Sequence, residues 1–237
     1  MVSLYVLPSP LHYTRIPLLA ETRPTMNAIP MPCVVPSGQI VPTGALALTA
    51  ATTIPVQYII SGGQIGADEG ALAGAAAVGI PTKGAMPVGF IRATGPDPDF
   101  AARYGLVETH YPGGGNAARD RENVDSADLV IAFLSSQPKT GRGTCSTLAY
   151  ALGRKKADKE ALMRQCSGTL VGGIRTDVIL FVDTTEDNVE AVSKVLIKEV
   201  DPLRHKRVMV SGPLESTMPG ITRTVAAIVQ TTFSRCS

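Results

Sequence analysis

Two glycine-rich turns hold the residues best suited to chemistry. The first, Ser61-Gly62-Gly63-Gln64-Ile65-Gly66, follows the apolar Val56, Tyr58, Ile59 and Ile60 and opens an alanine-rich segment from about Ala67 to Val78. A strand, a glycine turn and a helix start leave the first helical N–H groups without partners at the positive end of the helix dipole. Glycine also lets a ligand approach the backbone, so the arrangement suits a phosphate. The same pattern serves equally as a tight turn in an ordinary βαβ unit. The second turn, Thr140-Gly141-Arg142-Gly143-Thr144, also reads as a loop opening a helix. Two helix N-termini facing one crevice would hold a phosphate or a polar heterocycle. The competing reading is that Gly, Ser and Thr are there as helix caps. Arg119, Asn123 and Ser126 fall at i, i+4 and i+7, on one helix face. There Arg119 would clamp an anion and Asn123 would fix a neighbouring loop, or both would serve only packing and surface.

Constellations for bond-making chemistry are missing. No Ser/His/Asp spacing or HExxH motif occurs, and Asp68, Asp120, Asp183 and Glu215 are not paired in sequence. Asp68 stands in a first helical turn, where it complements the dipole; aimed into the site, it would repel a phosphate. Cys33, Cys145, Cys166 and Cys236 form no CxxC pair, and His12, His110 and His205 are scattered, so no zinc site is encoded and reduced thiols are expected. Cys145 reads as a packed small residue beside the second turn.

Elements must bring these turns together. Strands are expected over 56–61, 105–109, 128–134, 177–182 and 207–211. Helices are expected over 67–78, 117–126, 144–153, 186–200 and 221–233. Residues 79–100 read as a Gly/Pro loop, 153–160 as a solvated helix end or surface insertion, and 204–207 as a polar loop. Strands apolar on both faces, alternating with helices, predict an α/β fold: a Rossmann-like open parallel sheet with helices on both faces. Such sheets bind ligands beyond the carboxyl ends of their strands. The segments expected there include Ser61–Gln64, Gly141–Thr144, Asp183–Thr185 and Gly212–Ser216.

The chain has 237 residues, 44% apolar and 18% charged, with a net charge of +2. That is enough apolar sequence for a core and too little charge to argue for nucleic acid or a membrane surface. No apolar run reaches membrane-spanning length. Residues 1–55 differ: nine of the 18 prolines fall there, with Glu21 the one acid and Arg15 and Arg23 the two bases. They are expected to be a poorly ordered or targeting-like extension, with residues 56–237 as the ligand-binding domain. The expected location is cytoplasmic, or organellar if the extension is a transit peptide.

From about Tyr58 onward the chain resembles the molybdenum cofactor carrier family, a circularly permuted YpsA-like branch of the LOG/SLOG Rossmannoid superfamily. Four blocks carry the resemblance. Ile60 to Asp68 resembles ISGGQTGAD. Gly79-Ile80-Pro81 with Gly84 and Pro87 resembles GIPxGGxCPKG. Arg119 with Asn123-Val124, Asp125-Ser126 and Asp128 resembles RTxxNVxDSDA. Val210 to Pro213 with Glu215-Ser216 and Pro219-Gly220-Ile221 resembles the AGPRES…PGI ending, and Gly143-Thr144 matches a GGT turn. The resemblance implies an oligomeric carrier that binds molybdenum cofactor, or a related phosphorylated ligand, without transforming it. It implies a site built from Ser61, Gly62, Gly63, Gln64, Gly66, Ala67, Gly143, Thr144, Ser211 and Gly212, supported by Arg119 and Asn123. Against the family pattern, Ile65 replaces Thr, Glu69 stands where Arg is common, and Met86, Val88, Phe90 and Ala93-Thr94 replace Cys, Lys, Arg and Glu-Asp. The charge of that loop is nearly gone. Two other functions fit the same fold. One is a LOG-like nucleoside monophosphate phosphoribohydrolase, for which Thr147 stands in place of the needed glutamate. The other is a degenerate relative that binds nothing.

Overall fold

The computed structural model describes residues 56–138, 140–201 and 203–234. The expected extension over 1–55, and its boundary with the domain, lie outside the described residues.

The centre is a six-stranded parallel sheet made of β1 (Tyr58–Ile60), β2 (Thr82–Met86), β5 (Leu106–Glu108), β6 (Leu129–Leu134), β7 (Asp177–Val182) and β8 (Arg207–Ser211). Their order is β5-β2-β1-β8-β6-β7, and β3 (Ile91–Arg92) and β4 (Gly95–Pro96) form a separate antiparallel ribbon. The first and last strands are neighbours, with Ile59 beside Val208 and Ile60 beside Met209. Strand β8 in turn pairs with β6, Val130 beside Met209.

Side chains alternate between two cores, as a strand's period of two requires. Ile59, Ile131, Phe133, Ile179, Val208 and Val210 face one way, toward α1 (Ala67–Ala77), α6 (Val189–Glu199) and α7 (Ile221–Phe233). Ile60, Val130, Ala132, Leu134, Leu180 and Met209 face the other, toward α3 (Asn116–Asp125), α4 (Arg142–Ala151) and α5 (Lys159–Cys166). The chain therefore leaves β1 toward one face and β6 toward the other. The carboxyl ends of β1, β8 and β6 flank the point where the strand order switches direction, the place where open α/β sheets form a crevice.

Three expectations need correction. Residues 79–100 are not simply a loop: they hold β2, an interior strand, and the start of α2 (Pro98–Tyr104). Strand β2 reads Thr-Lys-Gly-Ala-Met, poor in β-branched apolar residues, because Gly84 passes Ser61 so closely that a Cβ would stand 2.0 Å from its carbonyl oxygen. Beyond the solvated 153–158 segment comes a further helix, α5, N-capped by Asp158, whose carboxylate accepts from Ala161 N–H at 3.0 Å. The polar loop 204–207 contains a buried histidine: His205 Nδ1 accepts from Asp201 N–H, which leaves Nε2 to donate to Asp177.

Candidate ligand crevice

A crevice of about 420 Å³ opens at the carboxyl edge of the sheet. It is walled by the turns after β1, β6 and β8, by the β3–β4 ribbon and by α3. Gln64, Gly143, Thr144, Ser211, Gly212 and Arg119 all line it, so the structure brings half of the predicted site residues together.

The first glycine turn is partly engaged within the protein. Ala67 N–H, at the start of α1, donates to Pro213 O at 3.1 Å, and Glu69 N–H to Gln64 O at 3.1 Å. Gln64 N–H donates to Asp68 Oδ2 at 3.3 Å. Asp68 is buried, lines the crevice and fills the place a ligand anion would take. The expectation that Asp68 merely complements the dipole is thus only half of its role. Ser61 Oγ donates to Val210 O at 2.9 Å, tying β1 to β8 rather than facing the crevice. Gly63 offers its carbonyl to Arg92 Nε at 2.8 Å. At Gly66 (φ +128°), a Cβ would meet Pro213 O at 2.4 Å, so the turn and the segment after β8 interlock.

The second turn is open. Gly141 caps α4 in the left-handed conformation with no side-chain cap, and the first backbone bond is Cys145 N–H to Gly141 O. Among the described residues, no hydrogen bond engages the N–H of Arg142, Gly143 or Thr144. A helix start in this state holds a partial positive charge facing the crevice. Arg142 beside it is exposed, and the space where a Gly143 Cβ would stand is clear to 4 Å. Cys145 is packed behind; burial pushes its thiol up, against the charge of Lys159.

Arg119 crosses the floor. Its Nη1 lies 3.0 Å from Asp68 Oδ2 and 3.0 Å from Asp120 Oδ1, and its Nε is buried without a partner among the described residues. One guanidinium thus serves two carboxylates. Burial works to lower the Arg119 pKa, but Asp68 and Asp120 outweigh it and hold the charge. Asp120 moves the other way: burial, with the Asp68 charge, raises its pKa despite the opposing charge of Arg119. Asn123 does not reach the crevice. It clasps the Ala85 peptide of β2, accepting from N–H at 2.7 Å and donating to C=O at 3.2 Å. Ser126 Oγ turns back to Glu122 O. Of the i, i+4, i+7 face, Arg119 alone lines the site.

Arg92 and Asp120 are crevice residues that the sequence pattern does not single out. Arg92 is buried, ion-paired to Glu69 and Asp97, and stacked 3.7 Å over the Phe100 ring. It is the one cation between Lys83 and Arg103, which was the signal available. The acidic Glu69, where the family commonly has Arg, is its counterion. Gln64 fastens the same ribbon, donating to Ile91 O at 2.9 Å and accepting from Ala93 N–H at 3.1 Å. Glu215, from the fourth sequence block, caps α7: its carboxylate accepts from Gly220 N–H at 2.5 Å, Thr222 N–H at 3.0 Å and Thr222 Oγ1 at 2.6 Å.

This sheet order defines a Rossmann-like α/β domain with a crevice at its carboxyl edge. The profile of the circularly permutated YpsA SLOG family matches residues 59–233, and the chain belongs to that family. The crystal structure of a protein named "putative molybdenum carrier protein", from Syntrophus aciditrophicus SB, is similar, with a TM-score of 0.56 and 21% sequence identity over 76% of this chain and 96% of that one. At that identity the likeness bears on the fold. No curated protein matches the chain significantly.

Proposed function

We propose that this protein binds and carries a small phosphorylated ligand, pterin- or nucleotide-like, without transforming it, and that molybdenum cofactor is the cargo that fits best. The observation that carries the reading is the uncapped N-terminus of α4, with Arg142, opening into a crevice that no side chain among the described residues fills. The phosphate sits there, not on the Ser61–Gly66 turn. Arg92 is fully engaged inside the protein, so the altered 86–94 loop contributes shape and not charge. Asp120 is placed to accept hydrogen bonds from a 2-amino-4-oxopyrimidine edge, which pterins and guanine share. Membership of the family and the name of the structural neighbour support the same reading. An open crevice also speaks against the non-binding relative.

Titration with GMP, which combines that edge with one phosphate, tests the class of ligand. Saturable binding to the wild type, weakened about tenfold or more in Gly143→Asp, is expected, since one charge-assisted contact is worth that much. No binding by a folded wild type contradicts the reading.

A second reading rests on Asp120 and Thr147 lining the same cavity beside the crevice. That brings a carboxyl group with a raised pKa next to the position where a phosphoribohydrolase keeps its glutamate. Release of free guanine from GMP, abolished in Asp120→Asn, would favour it; intact GMP after prolonged incubation favours the carrier.

A further inference from the structure

Beside the crevice, between α3 and α4, lies a second cavity of about 440 Å³. The two share Asn116, Asp120 and Gly143, so they are contiguous along the start of α4. Arg121, Arg154 and Lys155 line the second one, and Asp120 is its single carboxylate. This imbalance is unusual for the molecule. Most of the described arginines, among them Arg92, Arg119, Arg175 and Arg207, have a carboxylate within 4.0 Å. Among the described residues, Arg103, Arg121, Arg142 and Arg154 do not, and the last three line one cavity or the other. Arg154 is half-buried and oriented by the neutral amide of Gln165, which directs its charge without cancelling it. Arg121 lies over the Tyr150 ring, 5.7 Å from its centroid. Cations gathered around a concavity repel one another, and a concave wall focuses their field, so the cavity is built to receive an anion.

We propose that this cavity is a second anion subsite and that the ligand is bipartite: one phosphorylated half in the crevice, the other held by Arg121, Arg154 and Lys155, as in a pyrophosphate-linked dinucleotide. The proposal rests on the crevice reading for its first half and goes beyond it for the second.

Calorimetric titration with GMP and with its symmetrical pyrophosphate-linked dimer, diguanosine diphosphate, separates the two. The wild type is expected to bind the dimer at least about tenfold more tightly than GMP, from one further charge-assisted contact. In Arg121→Ala/Lys155→Ala that advantage disappears while GMP affinity is unchanged. Both positions are exposed, and an unaltered melting temperature confirms the fold. Raising the salt concentration shrinks the advantage in the wild type. Equal affinity of the wild type for both compounds, or an advantage that survives in the double variant, overturns the second subsite and leaves the crevice reading standing. Failure of both compounds to bind overturns the two together.

Discussion

The guanidinium of Arg119 lies against Gly62 where a side chain would begin. A Cβ there would stand 1.3 Å from Nη1 and 2.1 Å from Cζ. The first glycine of the Ser61–Gly66 turn is therefore a seat for an arginine. The arginine in turn neutralises Asp68, whose carboxylate has taken the N–H group of Gln64. Turn, arginine and aspartate form one interlocked unit.

Gly62→Ala should consequently cost more than backbone preference alone. The methyl group forces the Arg119 guanidinium off its seat and weakens its pairing with Asp68 and Asp120, a loss of up to about 3–5 kcal/mol if the pairing is broken outright. Urea unfolding measures it. Gly143→Ala is the matched control: nothing lies within 4 Å of the new methyl group, and a glycine-to-alanine change in a helix stabilises by about 0.4–1 kcal/mol. Equal destabilisation of the two variants would contradict the seat.

Asp120 sets an unusual pH dependence. Its pKa is raised above the ordinary carboxylate value of 3.8 by burial and the Asp68 charge, so the folded state binds its proton more tightly than the unfolded state. Such a group loses stability as pH rises from the unfolded value through the folded one. Asp120→Asn removes that loss and leaves Arg119 and Asp68 as a one-to-one pair. Relative to the wild type, the variant should become more stable as pH rises from about 4 to about 7, as read by denaturant midpoints at each pH. A difference that does not change with pH would contradict the assignment.

Glu215 works in the opposite sense. Burial acts to raise its pKa, but the hydrogen bonds from Thr222 and Gly220 prevail and lower it below 4.5. Its contribution is therefore present above the unfolded pKa and lost as pH falls through the folded one. Glu215→Ala uncaps α7 and should cost about 1–2 kcal/mol at neutral pH. Melting temperatures of wild type and variant should converge in acid; a gap that persists at about pH 2 would rule out the carboxylate as the cap.

The parallel sheet was legible because its strands β6, β7 and β8 are continuous apolar runs and the segments between them have helical character. Strand β2 was not, because what decides it is a close backbone approach at Gly84 and not apolar patterning. The candidate site was legible as a set of turns but not as chemistry. Both glycine turns look alike in sequence. Only the path of Pro213–Glu215 across the start of α1, and the inward turn of Asp68, distinguish the first from the second. Asn123 is a motif residue whose work is structural, holding the Ala85 peptide. Arg92 was hidden by the loss of charge around it, since its partners Glu69 and Asp97 lie 23 and 5 residues away in the chain.

The most direct test of the carrier reading is what the protein holds when it is made. Protein purified without oxygen from a host that makes molybdenum cofactor should carry molybdenum and pterin in stoichiometric amounts. Gly143→Asp, which places a carboxylate at the open start of α4 and keeps its fold, should come out empty. Cofactor retained by that variant would move the ligand away from α4, and a wild type that is equally empty would contradict molybdenum cofactor as the cargo.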